Sequence, residues 1–221
     1  MTPNQTEPRS EEEAPRGMSR RGFLVTTGAV AASAVVLAAC GGNDKKNTSS
    51  DTTDTTAADG SNDAAIAMLA AGLEVLAVGT YKAALDAATA GKLGTVPPAV
   101  ATFVQTAMGH HEKALSTWNG VLTSAGAEAV STPPADLKAT VDAEFAKVTD
   151  VVGAAKLALK LEQIAADTYL SAVPKLTDKT AITTAGTFQV LDQEHAAILL
   201  FVLGQYPVPD VFQKTTNAYS G

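Results

Sequence analysis

The sequence contains one pattern twice: a Leu-Glu pair followed seven residues later by a Thr-Tyr pair, each time in an Ala-rich apolar stretch. The first copy contains Glu74 and Tyr81, and the second contains Glu162 and Tyr169. Seven residues are nearly two turns of an α-helix, so the Glu and the Tyr of each copy lie on one face. A carboxylate in an apolar stripe is costly to bury unless a cation compensates its charge. The repeat therefore favours a shared, buried acidic site; the alternative is that both Glu residues lie at the edge of the apolar face.

A histidine follows each copy of the pattern. His111 follows the first and His195 the second, and the offsets nearly match, since 162 − 74 = 88 and 195 − 111 = 84. The chain's third histidine, His110, lies beside His111. Two helix pairs that close on each other would bring two Glu and two His to one point, which is an arrangement typical of metal binding. The alternative is that these histidines are hydrogen-bonded residues of an ordinary core.

A carboxylate accompanies the second histidine but not the first. Asp192 lies three residues before His195, so both side chains can project from one helix face. Aligning His111 with His195 places Met108 opposite Asp192. We expect the neighbouring Glu194 to point elsewhere, toward solvent. The two halves are therefore predicted to be unequal in acidic groups.

The composition favours helices. Hydrophobic residues make up 46% of the chain but aromatic residues only 5%, with Ala, Leu and Val dominant, which favours helix packing over a β-sandwich. Gly and Pro breaks predict helices over about 64–90, 99–124, 154–173 and 180–204, with a partly helical connection over 135–152. We therefore predict an all-α four-helix bundle with a long crossover between helices 2 and 3. Asp63 is the predicted N-cap of the first helix, and Trp118 is predicted to fill the core.

The N-terminus resembles an export and lipidation signal of bacteria. Arg20 and Arg21 lie in a segment similar to the twin-arginine motif, and a mildly apolar stretch ends in Leu-Ala-Ala-Cys at Cys40, which resembles a lipobox. The resemblance implies a signal peptide over 1–39 and a lipid anchor at Cys40 that holds the protein at the outer face of the cytoplasmic membrane. The alternative is an ordinary anchor helix with an incidental Cys.

The remaining boundaries follow from composition. Residues 40–62 comprise the Cys and a polar segment that is predicted to be a disordered tether. The bundle is assigned to 63–212, with a C-terminal tail over 213–221. Residues 206–212 are expected to be extended and to pack their Phe and Val on the bundle. The net charge of -7 and the few Arg residues exclude nucleic acid as a favoured partner, and the single Cys excludes an intramolecular disulfide.

These features together resemble the ferritin-like superfamily of di-iron and di-manganese carboxylate bundles. The motifs that carry the resemblance are the two Glu-bearing helices and the carboxylate-x-x-His pattern of 192–195. The export signal, the polar tether and the Pro-Val-Pro-Asp-Val-Phe segment look more like the exported bacterial branch of ferritin-like, or desiccation-related, domain proteins.

The resemblance implies a ligand set and a cofactor. Fe or Mn would be the metal, and Tyr81 and Tyr169 would hydrogen-bond its ligands. Met108 departs from the family pattern, because a bridging Glu is expected there. A single metal, a weak site and a vestigial site therefore all stay open. The implied metal ligands are Glu74, His111, Glu162, Asp192 and His195.

Two functions of different classes follow. The first is redox or oxidant-handling chemistry by a membrane-anchored lipoprotein that binds Fe or Mn. The alternative is a cell-envelope binding or structural helical module whose site is vestigial and holds no metal. A storage cage is the least favoured idea, because a tethered subunit is awkward in a closed shell. A homodimer is left open, and the sequence predicts no particular protein partner.

Overall fold

The computed structural model describes residues 55–221, so the expectations for the export signal, for Cys40 and for the tether up to residue 54 lie outside the described residues. Within this range the chain forms α-helices and no β-strand, which confirms the predicted all-α fold. A short 3-10 turn, Val173–Lys175, joins the last two helices. The α-helices are α1 (Thr55–Thr89), α2 (Pro98–Ser124), α3 (Ala135–Phe145), α4 (Val151–Ala172) and α5 (Lys179–Val202).

Four of these helices form the bundle. Helix α1 packs against α2 and α4, and α5 packs against α4 and α2, so the helices form a ring in the order α1, α2, α5, α4. The long connection that includes α3 links α2 to α4, as predicted. It passes close to α1 at Gly72, where an added Cβ would lie 3.2 Å from Cδ of Pro134. A residue with a side chain at this position would push the crossover away from the bundle.

The predicted helix ends agree with the structure to within three residues for α2, α4 and α5. Helix α1 differs, because it begins at Thr55, and residues 55–62 are helical where the tether was predicted. The proposed N-cap role of Asp63 is therefore wrong. Its carboxylate accepts hydrogen bonds from the backbone N–H groups of Thr177, at 3.0 Å, and Asp178, at 2.6 Å, and so links α1 to the start of α5. The helix extends upstream because no Pro interrupts it and Ala57 and Ala58 favour helix.

The core is built mainly from Ala and a few large side chains. Trp118 is 0% exposed, which confirms its predicted place in the core, and it packs in one cluster with Leu122, Tyr169 and several Ala residues of α1 and α5. A second, smaller cluster lies between α4 and α5 around Leu159 and Leu199. Small Ala side chains let the helices approach closely, so the large residues decide where space is filled.

The C-terminal tail is held by polar contacts. The expectation that the Phe and Val of residues 206–212, just before the tail, pack on the bundle is wrong, since Val211 is 90% and Phe212 84% exposed. The contacts come later in the tail: the Asn217 backbone N–H donates to Asp167 at 2.9 Å, and the Tyr219 N–H donates to the Thr168 hydroxyl at 2.8 Å. Buried polar groups on α4 therefore find their partners in the tail backbone, which holds the tail against the bundle.

Among the described residues, the segment Asn62–Thr89 of α1 is long and apolar enough to cross a membrane by length and composition alone. About 44% of its apolar window is buried inside the bundle. A core helix with one face against its neighbours meets the same criterion. We therefore describe α1 as a bundle helix.

Candidate metal centre

Three helices bring four ionisable side chains together inside the bundle. One ligand atom from each of these side chains lies within 4.8 Å of those of the other three, and all four residues are buried. They are His111 of α2, Glu162 of α4, and Asp192 and His195 of α5. The structure thus places four of the five sequence-predicted ligands at one point, and the spacing of three between Asp192 and His195 puts both on the inner face of α5.

Glu74, the fifth predicted ligand, lies outside that group and contacts it through His111. Its Oε2 lies 2.8 Å from Nδ1 of His111, whereas the opposite ring nitrogen, Nε2, lies 3.1 Å from Oε1 of Glu162. The imidazole of His111 is therefore held between the two glutamates. Glu74 is buried like the others, but it lies on the far side of that ring.

Each of the two repeated tyrosines contacts the glutamate of the other half of the bundle, where the first half is α1 with α2 and the second is α4 with α5. The Tyr81 hydroxyl donates to Oε1 of Glu162 at 2.5 Å, and the Tyr169 hydroxyl donates to Oε1 of Glu74. Contacts of 81 with 162 and of 74 with 169 show that α1 and α4 run antiparallel. Each tyrosine thus orients the carboxylate of the other half. The indole N–H of Trp118 donates in turn to the Tyr169 hydroxyl at 2.8 Å.

His110 is a site residue that lies outside the ligand set implied by the resemblance. Its Nδ1 lies 3.0 Å from Nε2 of His195, and the two rings stack with an interplanar angle of 7°. The other nitrogen of His195, Nδ1, lies 3.2 Å from Oε2 of Glu162. The adjacency of His110 to His111 was the available signal. It was not decisive, because neighbouring helix positions point about 100° apart.

Asp192 carries the clearest sign of a missing partner. Its Oδ2 is buried and has no hydrogen-bond partner within residues 55–221. Burial raises the pKa of this carboxyl well above its usual value, and the negative charges of Glu162 and Glu74 raise it further, while the charge of His111 opposes them. Buried polar atoms almost always have a partner. A cation at this point would satisfy the oxygen and offset the repulsion between the carboxylates.

When no metal is bound, a protonated His111 supplies part of the positive charge that offsets these carboxylates. Burial alone would lower the pKa of His111, but the charge of Glu162 and hydrogen bonds with Glu162 and Glu74 raise it well above 6.5. For Glu162, burial would raise the pKa, but the charge and hydrogen bond of His111 and the hydrogen bond of His195 lower it to about 2. An imidazole must lose its proton to bind a metal, so proton and metal compete for this site.

The donor set suits a hard or borderline cation. Two imidazoles and two carboxylates offer nitrogen and oxygen ligands, which fit Fe, Mn or Zn. Met108 on α2 is half-buried and adds no carboxylate, and Glu194 is exposed. The residues present therefore fit one cation better than two.

The chain is therefore a four-helix-bundle protein. The buried cluster of carboxylates and imidazoles between its helices is a potential metal site. The ferritin-like domain family matches residues 62–205, which covers all four bundle helices except the first residues of α1. The chain belongs to this family. No curated protein matches the sequence significantly.

Proposed function

We propose that the protein is an exported, lipid-anchored member of the ferritin-like family that binds Fe or Mn in its core and uses it to handle oxidants outside the cytoplasm. The observation that carries the metal proposal is Oδ2 of Asp192, which has no hydrogen-bond partner among the described residues and lies in a cluster with three other ligand-type side chains. The export proposal rests on sequence alone, on Arg20, Arg21 and Cys40.

Four side chains would hold the ion: His111, Glu162, Asp192 and His195. A bound Fe or Mn ion supplies one-electron exchange with small oxidants. The carboxylates of Glu162 and Asp192 supply negative charge that balances the ion, and the surrounding bundle excludes water from it.

The remaining polar residues position these ligands. Glu74 accepts the Nδ1 proton of His111, which leaves Nε2 directed at Glu162. His195 would bind the ion through Nδ1, which lies beside Glu162, and its Nε2 would then carry the proton and donate it to Nδ1 of His110. Outer partners of this kind fix the tautomer and the orientation of metal-binding imidazoles.

The test is the metal content of the purified protein after reconstitution with Fe(II) or Mn(II), measured by elemental analysis. We expect the wild type to retain metal and Glu162→Ala to lose it. Glu194→Ala is the matched control, because it removes an exposed Glu one residue before His195 and leaves the cluster intact. A wild type that retains no metal, or equal retention by both variants, would contradict the proposal.

Met108 favours a second candidate function: a cell-envelope binding or structural module with a relic site. The position that aligns with Asp192 carries no carboxylate, so the first half lacks its acidic contribution. Met108→Glu distinguishes the two candidates. If the wild type binds no metal and Met108→Glu binds iron tightly, the relic interpretation is correct. Metal bound by the wild type supports the first proposal.

Cell fractionation tests the proposed location of the protein at the outer face of the membrane. We expect the wild type in the membrane fraction and Cys40→Ala in a soluble exported fraction, because the lipid is attached to that thiol. Replacing Arg20 and Arg21 together by Lys should retain the protein in the cytoplasm. Membrane association that persists in Cys40→Ala would contradict lipid anchoring.

A further inference from the structure

An apolar cavity of about 310 Å³ lies beside the candidate metal centre, between α1, α2, α4 and α5. Its lining is aliphatic and aromatic, and among the lining residues within 55–221 only Thr80 and Tyr81 contribute side-chain hydroxyls. Both hydroxyls are already engaged: Thr80 donates to the Leu76 carbonyl at 2.8 Å and Tyr81 donates to Glu162. The cavity therefore offers no free side-chain hydroxyl donor to a polar guest.

Two aromatic rings separate the cavity from the metal centre. Tyr81 lines the cavity, and its ring stacks on His111 with centroids 5.5 Å apart. Phe103 lines it too, and its ring contacts His195 edge-on with centroids 5.8 Å apart. A guest in the cavity would thus touch the side chains that pack directly on both imidazoles.

One position that lines the cavity differs in size between the two halves of the bundle. The 84-residue offset that relates His111 to His195 also relates Trp118 to Val202. Trp118 fills the core beside Tyr169, whereas Val202 lines the cavity beside Tyr81. The smaller side chain leaves space in the second half that an indole fills in the first.

The cavity reaches the surface through apolar residues of α5. Phe201 is 71% exposed and Ile198 and Val202 are also exposed, and all three line the cavity. Large exposed apolar side chains at the mouth of an apolar cavity are typical of a binding site for an apolar partner.

We propose that this cavity binds a small uncharged hydrocarbon chain or ring, with one end against Tyr81 and Phe103. A dry cavity of about 150 Å³ holds one benzene ring, so a cavity of this size holds about a dozen carbon atoms. A polar guest would lose hydrogen bonds to water without replacement. The inference rests on the proposed function only in placing the guest next to a metal; binding itself does not need the metal.

The test uses 1-aminonaphthalene, a small two-ring uncharged dye whose emission moves to shorter wavelength in apolar surroundings, titrated into the chelator-treated and the metal-loaded protein. Val202→Trp introduces the side chain that the first half carries, and it should weaken dye binding at least tenfold. Val190→Trp is the matched control, because Val190 is also on α5, is 54% exposed and does not line the cavity. We expect its affinity for the dye to stay within twofold of the wild type.

A second variant shows whether a loss of dye binding comes from the filled cavity or from misfolding of Val202→Trp. Ala158→Phe fills the cavity from α4, and it should reduce dye binding as Val202→Trp does. No dye binding by the folded wild type, or equal weakening by Val202→Trp and Val190→Trp, overturns the proposal. Metal retention is measured on the same samples. Metal without dye binding overturns only the cavity proposal, and dye binding without metal overturns only the metal function.

Discussion

The two helix pairs, α1 with α2 and α4 with α5, carry the same motif but use it differently. Each pair contributes a Glu, a Tyr and a His at matching positions, and each Tyr donates to the Glu of the other pair. Glu162 belongs to the four-residue cluster, whereas Glu74 reaches it only through His111. Equivalent positions in a repeat therefore do not guarantee equivalent chemistry.

Two aligned positions on α2 and α5 differ in ways that the structure makes clear. Where the first half has Met108 the second has Asp192, and where the first has Trp118 the second has Val202. The first half thus has a large buried side chain at one of these positions, and the second half has a buried carboxylate at the other. The comparison indicates that the first half mainly stabilises the bundle and the second mainly forms the site.

The largest effect should come from Trp118→Ala, compared with Val202→Ala at the aligned position. Trp118 is completely buried, so its removal should cost about 3–5 kcal/mol of unfolding free energy. Val202 is 44% exposed, and its truncation should cost less than about 1 kcal/mol. Urea unfolding followed by circular dichroism measures both. Equal losses would show that the halves share the packing role.

A smaller difference should separate Tyr169→Phe from Tyr81→Phe. Loss of the Tyr169 hydroxyl leaves Oε1 of Glu74 without its donor and the Trp118 N–H without its acceptor, although Oε2 of Glu74 keeps its contact with His111. Loss of the Tyr81 hydroxyl removes one donor to Glu162, which keeps its contacts with two imidazoles. Unsatisfied buried groups cost about 1–3 kcal/mol each, so Tyr169→Phe should be the more destabilising by about 1 kcal/mol or more. The reverse order in thermal unfolding would contradict this account.

Asp192→Asn should stabilise the metal-free protein while it weakens metal binding. Each unit by which the pKa of Asp192 is raised costs about 1.4 kcal/mol once the carboxyl ionises. At pH 8 the variant with the neutral amide should therefore have the larger free energy of unfolding. Glu194→Gln, an exposed neighbour, should change neither quantity. A destabilised metal-free Asp192→Asn would mean that the carboxylate stabilises the fold by itself.

The stability of the metal-free protein should fall as pH rises above 6.5. The folded-state pKa of His111 is raised, so its ion pairs contribute fully below 6.5 and are lost as pH rises through the higher value. Asp192 acts in the same direction, because its raised pKa makes ionisation unfavourable in the fold. The slope is at most about 1.4 kcal/mol per pH unit for each proton.

The pH effect is measured as the melting temperature of chelator-treated protein from pH 6 to 9. His111→Gln should flatten the profile. Metal affinity should change in the opposite direction and rise with pH, because the metal competes with the proton of His111. A flat wild-type profile would show that His111 does not hold a proton in the metal-free site.

Local patterns in the sequence were sufficient for the helices and for most of the site. Breaks at Pro and Gly and the lack of alternating stretches predicted four bundle helices and the crossover, because helix formation depends on near neighbours along the chain. The order of Glu74 and His111 recurs in Glu162 and His195 at a similar spacing, and this recurrence selected the residues that meet in the core. Spacing of three placed Asp192 and His195 on one face for the same reason.

Contacts between helices were decided only by the tertiary structure. The sequence did not indicate that Tyr81 donates to the Glu of the other half, that His110 meets His195, or that Asp63 holds the start of α5. Such contacts depend on the antiparallel register of helices far apart in the chain, which no local periodicity encodes. The cavity beside Tyr81 is the clearest case, because empty space is a property of how side chains from four helices fail to fill a volume.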